Sequence, residues 1–219
     1  MMIYKLGFLI SLVFASSLMT LSAGSNIIGK VFSENEKTPL INAVIWVEIK
    51  DHEPRRQPRL EKMVQRDKEF HPKVLVAPVN TEVFFPNEDP IFHNIFSLNK
   101  IKKLDLGNYK GEGNPVIFEQ EGIYPIGCNI HPWMSAFIVI VSSPFFAKST
   151  ALGGFILKDL TEGSHTLNLW SMELKDIIQK QVTIKDGINN LDWEVSADFF
   201  KRKRKRIPQA EKKNRYDGY

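Results

Sequence analysis

The sequence predicts an all-β chain made of one β-sandwich and a second, smaller one in its flanks. Three observations predict it. Short runs rich in Val, Ile and Phe recur about every 8–12 residues, bounded by clusters of Pro, Gly, Asn and Asp. Apolar and polar residues alternate within the runs, as in residues 41–50, which is the period of a half-buried strand. Helical patterning is confined to two weak stretches, residues 171–178 and part of 98–110.

Residues 1–23 read as a secretory signal. Lys5 supplies the positive start, an apolar run follows over 6–21, and Leu21-Ser22-Ala23 offers small residues for cleavage. A retained membrane anchor is the alternative, but the run is interrupted by Ser11, Ser16, Ser17 and Thr20 and is short for a span of ~20 residues. The mature protein is therefore expected to be periplasmic or otherwise exported.

The remaining elements follow in order. Residues 26–32 and 41–50 are strands around a polar turn at 33–39, and the charged stretch 51–58, with two prolines, is a linker. Strands are predicted at 62–65, 74–77, 82–85 and 91–98, with the turn-rich Pro86-Asn87-Glu88-Asp89-Pro90 before the last. Residues 104–113 read as a polar, glycine-containing surface connection. Strands resume at 116–119, 122–127 and 136–141, and Pro144 closes this block. A third block holds strands near 153–157, 164–170, 179–184 and 191–195.

The formal charge of +4 is unevenly distributed. Residues 201–219 carry nine Lys/Arg against two Asp/Glu, so the body, 24–200, is net negative. The basic character belongs to the tail and does not mark the folded part as a nucleic-acid binder. A run such as 201–206 is most simply a disordered, solvated tail. The other reading is an electrostatic contact with anionic lipid or an acidic protein.

The chemistry concentrates in Gly127-Cys128-Asn129-Ile130-His131-Pro132-Trp133-Met134, which holds the only cysteine of the chain. In an oxidising compartment a lone cysteine is an intermolecular bridge, a reactive thiol or a ligand. A thiolate, an imidazole and a thioether within seven residues form a soft donor set suited to copper. A trigonal two-His, one-Cys site with a weak axial Met needs a second histidine. Of His52, His71, His93, His131 and His165, His93 is the best placed: it follows a turn and opens an apolar strand in the same block as Cys128. Beside the donors, Asn94 is expected to tie the two ligand-bearing segments together, and Pro132 to stiffen the loop. Pro132 and Trp133 offer an apolar contact for a partner. Zinc more often takes additional Cys or His, and the C-x-x-C-H pattern of haem attachment is absent.

These residues resemble the cupredoxins, the blue-copper proteins of plastocyanin and amicyanin type. The resemblance runs over roughly 60–146: Phe70-x-Pro72, Val83-x-Phe85-x-Asn87-x-Asp89, His93-Asn94, then Gly122-x-Tyr124-x-x-x-Cys128-x-x-His131-Pro132-x-Met134. It implies a Greek-key β-sandwich holding one copper ion, Cu(I)/Cu(II), at His93, Cys128, His131 and Met134, with electrons leaving through the exposed edge of His131. The flanks are similar to an Ig-like or carboxypeptidase-regulatory-like β-sandwich, in Ile28-Gly29-x-Val31, Pro39-Leu40-x-x-Ala43-x-Ile45 and Gly154-Phe155-Ile156-Leu157-x-x-Leu160-x-x-Gly163-x-x-x-Leu167. The order resembles exported proteins of the methylamine-utilisation kind.

The expected organisation is a signal at 1–23, a discontinuous sandwich at 24–56 plus 147–199, a copper domain at 57–146 and a basic tail at 200–219. The expected function is one-electron transfer to a redox protein partner, without catalysis. Copper storage or delivery, and a structural or adhesive module with a stabilising copper, are the alternatives.

Overall fold

A computed structural model describes residues 24–35, 37–48 and 59–196. The expected signal, the 51–58 linker with His52, and the basic tail lie outside the described residues. The described chain is all-β, without a helix. Its strands are β1 (Ser25–Ser33), β2 (Val44–Val47), β3 (Arg59–Lys62), β4 (Val64–Arg66), β5 (Glu69–His71), β6 (Val74–Pro78), β7 (Thr81–Phe84), β8 (His93–Leu98) and β9 (Lys103–Tyr109). They continue with β10 (Val116–Phe118), β11 (Gly122–Gly127), β12 (Ser135–Val141), β13 (Phe146–Lys148), β14 (Gly154–Leu160), β15 (Gly163–Trp170), β16 (Ile178–Ile184), β17 (Ile188–Asn190) and β18 (Trp193–Val195).

Two sandwiches share one apolar seam. The first pairs a five-stranded sheet, β6-β12-β11-β8-β9, with a three-stranded one, β10-β7-β3. Alternation fixes its core: Tyr124 and Ile126 of β11 and Ala136, Ile138 and Ile140 of β12 face inward onto Phe70, Phe85 and Phe118. The second sandwich sets β14-β1-β17, with β18 also on β1, against β13-β2-β15-β16. Its core holds Ile27, Val31, Ile45, Leu157, Leu167 and Trp193. Gly29 is required there, because a Cβ would fall 1.8 Å from the carbonyl oxygen of Leu191.

Strand β2 is buried on both faces. Ile45 and Val47 enter the second core, whereas Val44 and Trp46 pack with Trp170 against Val74, Val139 and Val141 of the first sandwich. The Trp170 and Phe137 rings lie 5.1 Å apart across this seam. The seam occupies the outer face of β6 and β12.

Three expectations fail. Residues 98–110 hold no helix and 104–113 is not simply a connection: β9 pairs antiparallel with β8 from Lys103 to Tyr109. Leu104 and Leu106 pack on the core while Lys103 and Asp105 are exposed, so the polar-looking segment is an amphipathic edge strand. Residues 171–178 form a turn, because the Ser171 carbonyl accepts from Leu174 N–H at 3.1 Å and β16 begins at Ile178.

Candidate metal centre

Three segments deliver the donors to one end of the first sandwich. His93 is the first residue of β8, Cys128 follows the last residue of β11, and Met134 precedes β12. β11 pairs with β12 over its whole length, from Gly122↔Ile140 to Gly127↔Ser135, so Cys128 and Met134 sit at the two feet of one hairpin. The hairpin is closed by Met134 N–H donating to the His131 carbonyl at 2.9 Å. β8 reaches the same end through the bridge Gly127↔Phe96. The Phe96 ring packs directly over Gly127 at that crossing, where a Cβ would lie 2.8 Å from it unless the ring moved.

His93, Cys128 and His131 form a cluster whose ligand atoms all lie within 4.8 Å of one another. The two Nδ1 atoms of His93 and His131 are 3.1 Å apart. Cys128 and Met134 belong to the hydrophobic core, and His93 is fully buried. The other described histidines stand outside the cluster: His71 lies on β5, and His165 contacts the Thr161 carbonyl at 2.8 Å.

Residues around the donors hold them in place. Asn94 Oδ1 accepts from Asn129 N–H at 3.3 Å, joining the residue after His93 to the residue after Cys128. Asn94 Nδ2 donates to Asp105 Oδ1 at 2.8 Å and to the Gly107 carbonyl at 3.3 Å. Pro132 is exposed. Trp133 is 62% exposed, and its ring centroid is 5.2 Å from that of His131. Phe92 and Ile130 add exposed apolar surface within two residues of the histidines.

The sequence reading missed Asp89. Its Oδ2 lies 2.7 Å from His93 Nε2, and its carboxylate also accepts from the Asp67 and Lys68 N–H groups at 2.8 and 2.9 Å. Burial works against ionisation of Asp89, but the hydrogen bonds from Lys68, His93 and Asp67 outweigh it and hold the carboxyl below its ordinary value. An ionised Asp89 accepts a hydrogen bond from Nε2–H of His93, which leaves the Nδ1 lone pair toward the cluster. The signal was present in sequence as a carboxylate four residues before the histidine, inside a turn. Burial pushes the His131 pKa down, which favours the neutral imidazole that a metal requires.

The donor chemistry fits copper. One thiolate and two imidazoles converge, with a buried thioether at the foot of the same hairpin, and soft donors of this kind select copper.

No family model matches this sequence, and no curated protein matches it. Among solved structures, part of the chain is similar to a reduced mutant of amicyanin, at 19% identity over 36% of this chain and 80% of that one, with a TM-score of 0.35. A purple cupredoxin from Nitrosopumilus maritimus is 27% identical over 36% of this chain and 98% of that one, with a TM-score of 0.32. A copper-containing nitrite reductase from Thermus scotoductus is 25% identical over 44% of this chain and 25% of that one, with a TM-score of 0.36.

Proposed function

We propose that this chain is an exported type 1 (blue) copper protein that passes single electrons. The observation that carries the reading is the convergence of His93 Nδ1 from β8 with His131 Nδ1 and Cys128 from the β11–β12 loop. His93, Cys128 and His131 would hold the ion, with Met134 as the weak axial donor. Copper, when bound, supplies the one-electron Cu(I)/Cu(II) couple.

The chain's own residues do the rest. Asp89 fixes the tautomer and the ring of His93. The Asn94 tie fixes the spacing between the two ligand-bearing segments. The core packing of Cys128 and Met134 excludes water and keeps both segments from rearranging. His131, half-buried beneath exposed Trp133, is the side from which a partner reaches the site. A carrier fits better than an enzyme, because four donors leave no open position for a substrate. The redox partner is a protein that meets Pro132 and Trp133, and the second sandwich is a carboxypeptidase-regulatory-like scaffold.

The test is reconstitution with Cu(II). An intense visible thiolate-to-copper absorption is expected, and it disappears in Cys128→Ser. A protein that stays colourless after copper loading overturns the reading.

A further inference from the structure

The outer face of the five-stranded sheet is apolar from β6 across to β8, and the second sandwich covers only part of it. Val74 of β6 and Val139 and Val141 of β12 lie under Trp46 and Trp170. Ile123 of β11 marks the boundary, since it packs against that covered cluster and also lines an open groove of about 670 Å³. Beyond it the groove continues over Pro125 and Phe96 to Leu98, which is 80% exposed. Ile101, 45% exposed, borders the same face, with its side chain over Gly122. The groove also passes Cys128, Asn129 and Pro132. It thus reaches the cysteine side of the cluster.

The rim is positive. Lys100, Lys102 and Lys103 fall within four residues, and Lys100 lines the groove. The acidic groups on this side are Asp105, whose Oδ1 accepts from Asn94 and from Gly107 N–H, and Glu121. Exposed apolar surface of this kind marks an interaction site, and charge complementarity selects its partner. The basic run 201–206 of this chain is repelled by the lysines. A second copy in a two-fold contact would set one lysine rim against the other. A flat lipid surface does not enter a groove.

We infer that this groove docks an acidic protein, which inserts an apolar segment over Phe96 and Leu98 and meets Lys100 and Lys103 with carboxylates. The partner's redox role rests on the copper reading, in which it also meets Pro132 and Trp133 at the groove's end; the docking rests on the sheet face alone.

The probe is a soluble c-type cytochrome of net negative charge. It is titrated at low ionic strength into the ¹⁵N-labelled full chain, before and after loading with Cu(I), and amide shifts are followed by NMR. Shifts are expected at residues 96–103 and 123–127 in both forms. Leu98→Glu with Lys103→Glu should weaken binding roughly 10-fold or more, and the thiolate-to-copper band of the variant, read after separate loading with Cu(II), reports an intact fold. Shifts confined to Ile130–Trp133, or no shifts, overturn the proposal. So does self-association that Leu98→Glu abolishes, or equal shifts with vesicles of anionic lipid alone. A missing copper band beside retained cytochrome shifts fails only the copper reading.

Discussion

Asp89 Oδ2 lies 2.7 Å from His93 Nε2, and the same carboxylate holds two backbone N–H groups of the β4–β5 turn. A buried histidine is thereby anchored on one nitrogen by a hairpin from another part of the sandwich. Its other nitrogen is left for the cluster.

Removing that anchor should loosen the metal. Asp89→Ala is expected to weaken copper retention by about 10–100-fold, the usual range for a hydrogen-bonding partner of a ligating histidine. Asp89→Asn, whose carbonyl still accepts from Nε2–H, should recover part of the loss and shift the visible band less. Competition with a chelator reads the affinity. Equal losses in both variants would show that the carboxylate merely supports the fold.

The Asn94–Asp105 contact gives a pH signature. Hydrogen bonds from Gly107 N–H and then Asn94 Nδ2 hold the Asp105 carboxyl below its ordinary value of 3.8, against a small opposing effect of burial. A folded-state pKa below the unfolded one contributes stability above the unfolded value, lost as pH falls through the folded value. The stability gap between wild type and Asp105→Asn should therefore be constant above about pH 5 and shrink below about pH 4. Urea unfolding across pH 3–7 measures it, and a gap independent of pH overturns the assignment.

Trp170 tests the seam. It is 5% exposed and packs with Phe137 of the first sandwich. Trp170→Ala should cost about 3–5 kcal/mol, the range for a buried aromatic. It should also uncouple the sandwiches, so that the copper band and the β-sheet circular dichroism no longer disappear together in urea. A single coincident transition of unchanged midpoint would contradict this.

Much of the fold is legible in local pattern. The alternation in β11 and β12, and the turn residues between strands, place most elements within a few residues. Leu104 and Leu106 escaped because an edge strand with a glycine carries too little apolar residue to stand out from a loop. The short 171–178 stretch escaped for the opposite reason: its composition suits a helix, but the chain must turn there to bring β16 beside β15.

By itself the sequence determined the donor types, their tight spacing from Cys128 to Met134, and the all-β character, because these depend on residue chemistry and on a period of two. Only the tertiary structure decided that Asp89 anchors His93, that Phe96 crosses Gly127, and that one apolar sheet face is half covered and half open. Those contacts join segments distant along the chain, and local pattern says which residues turn inward but not what they meet.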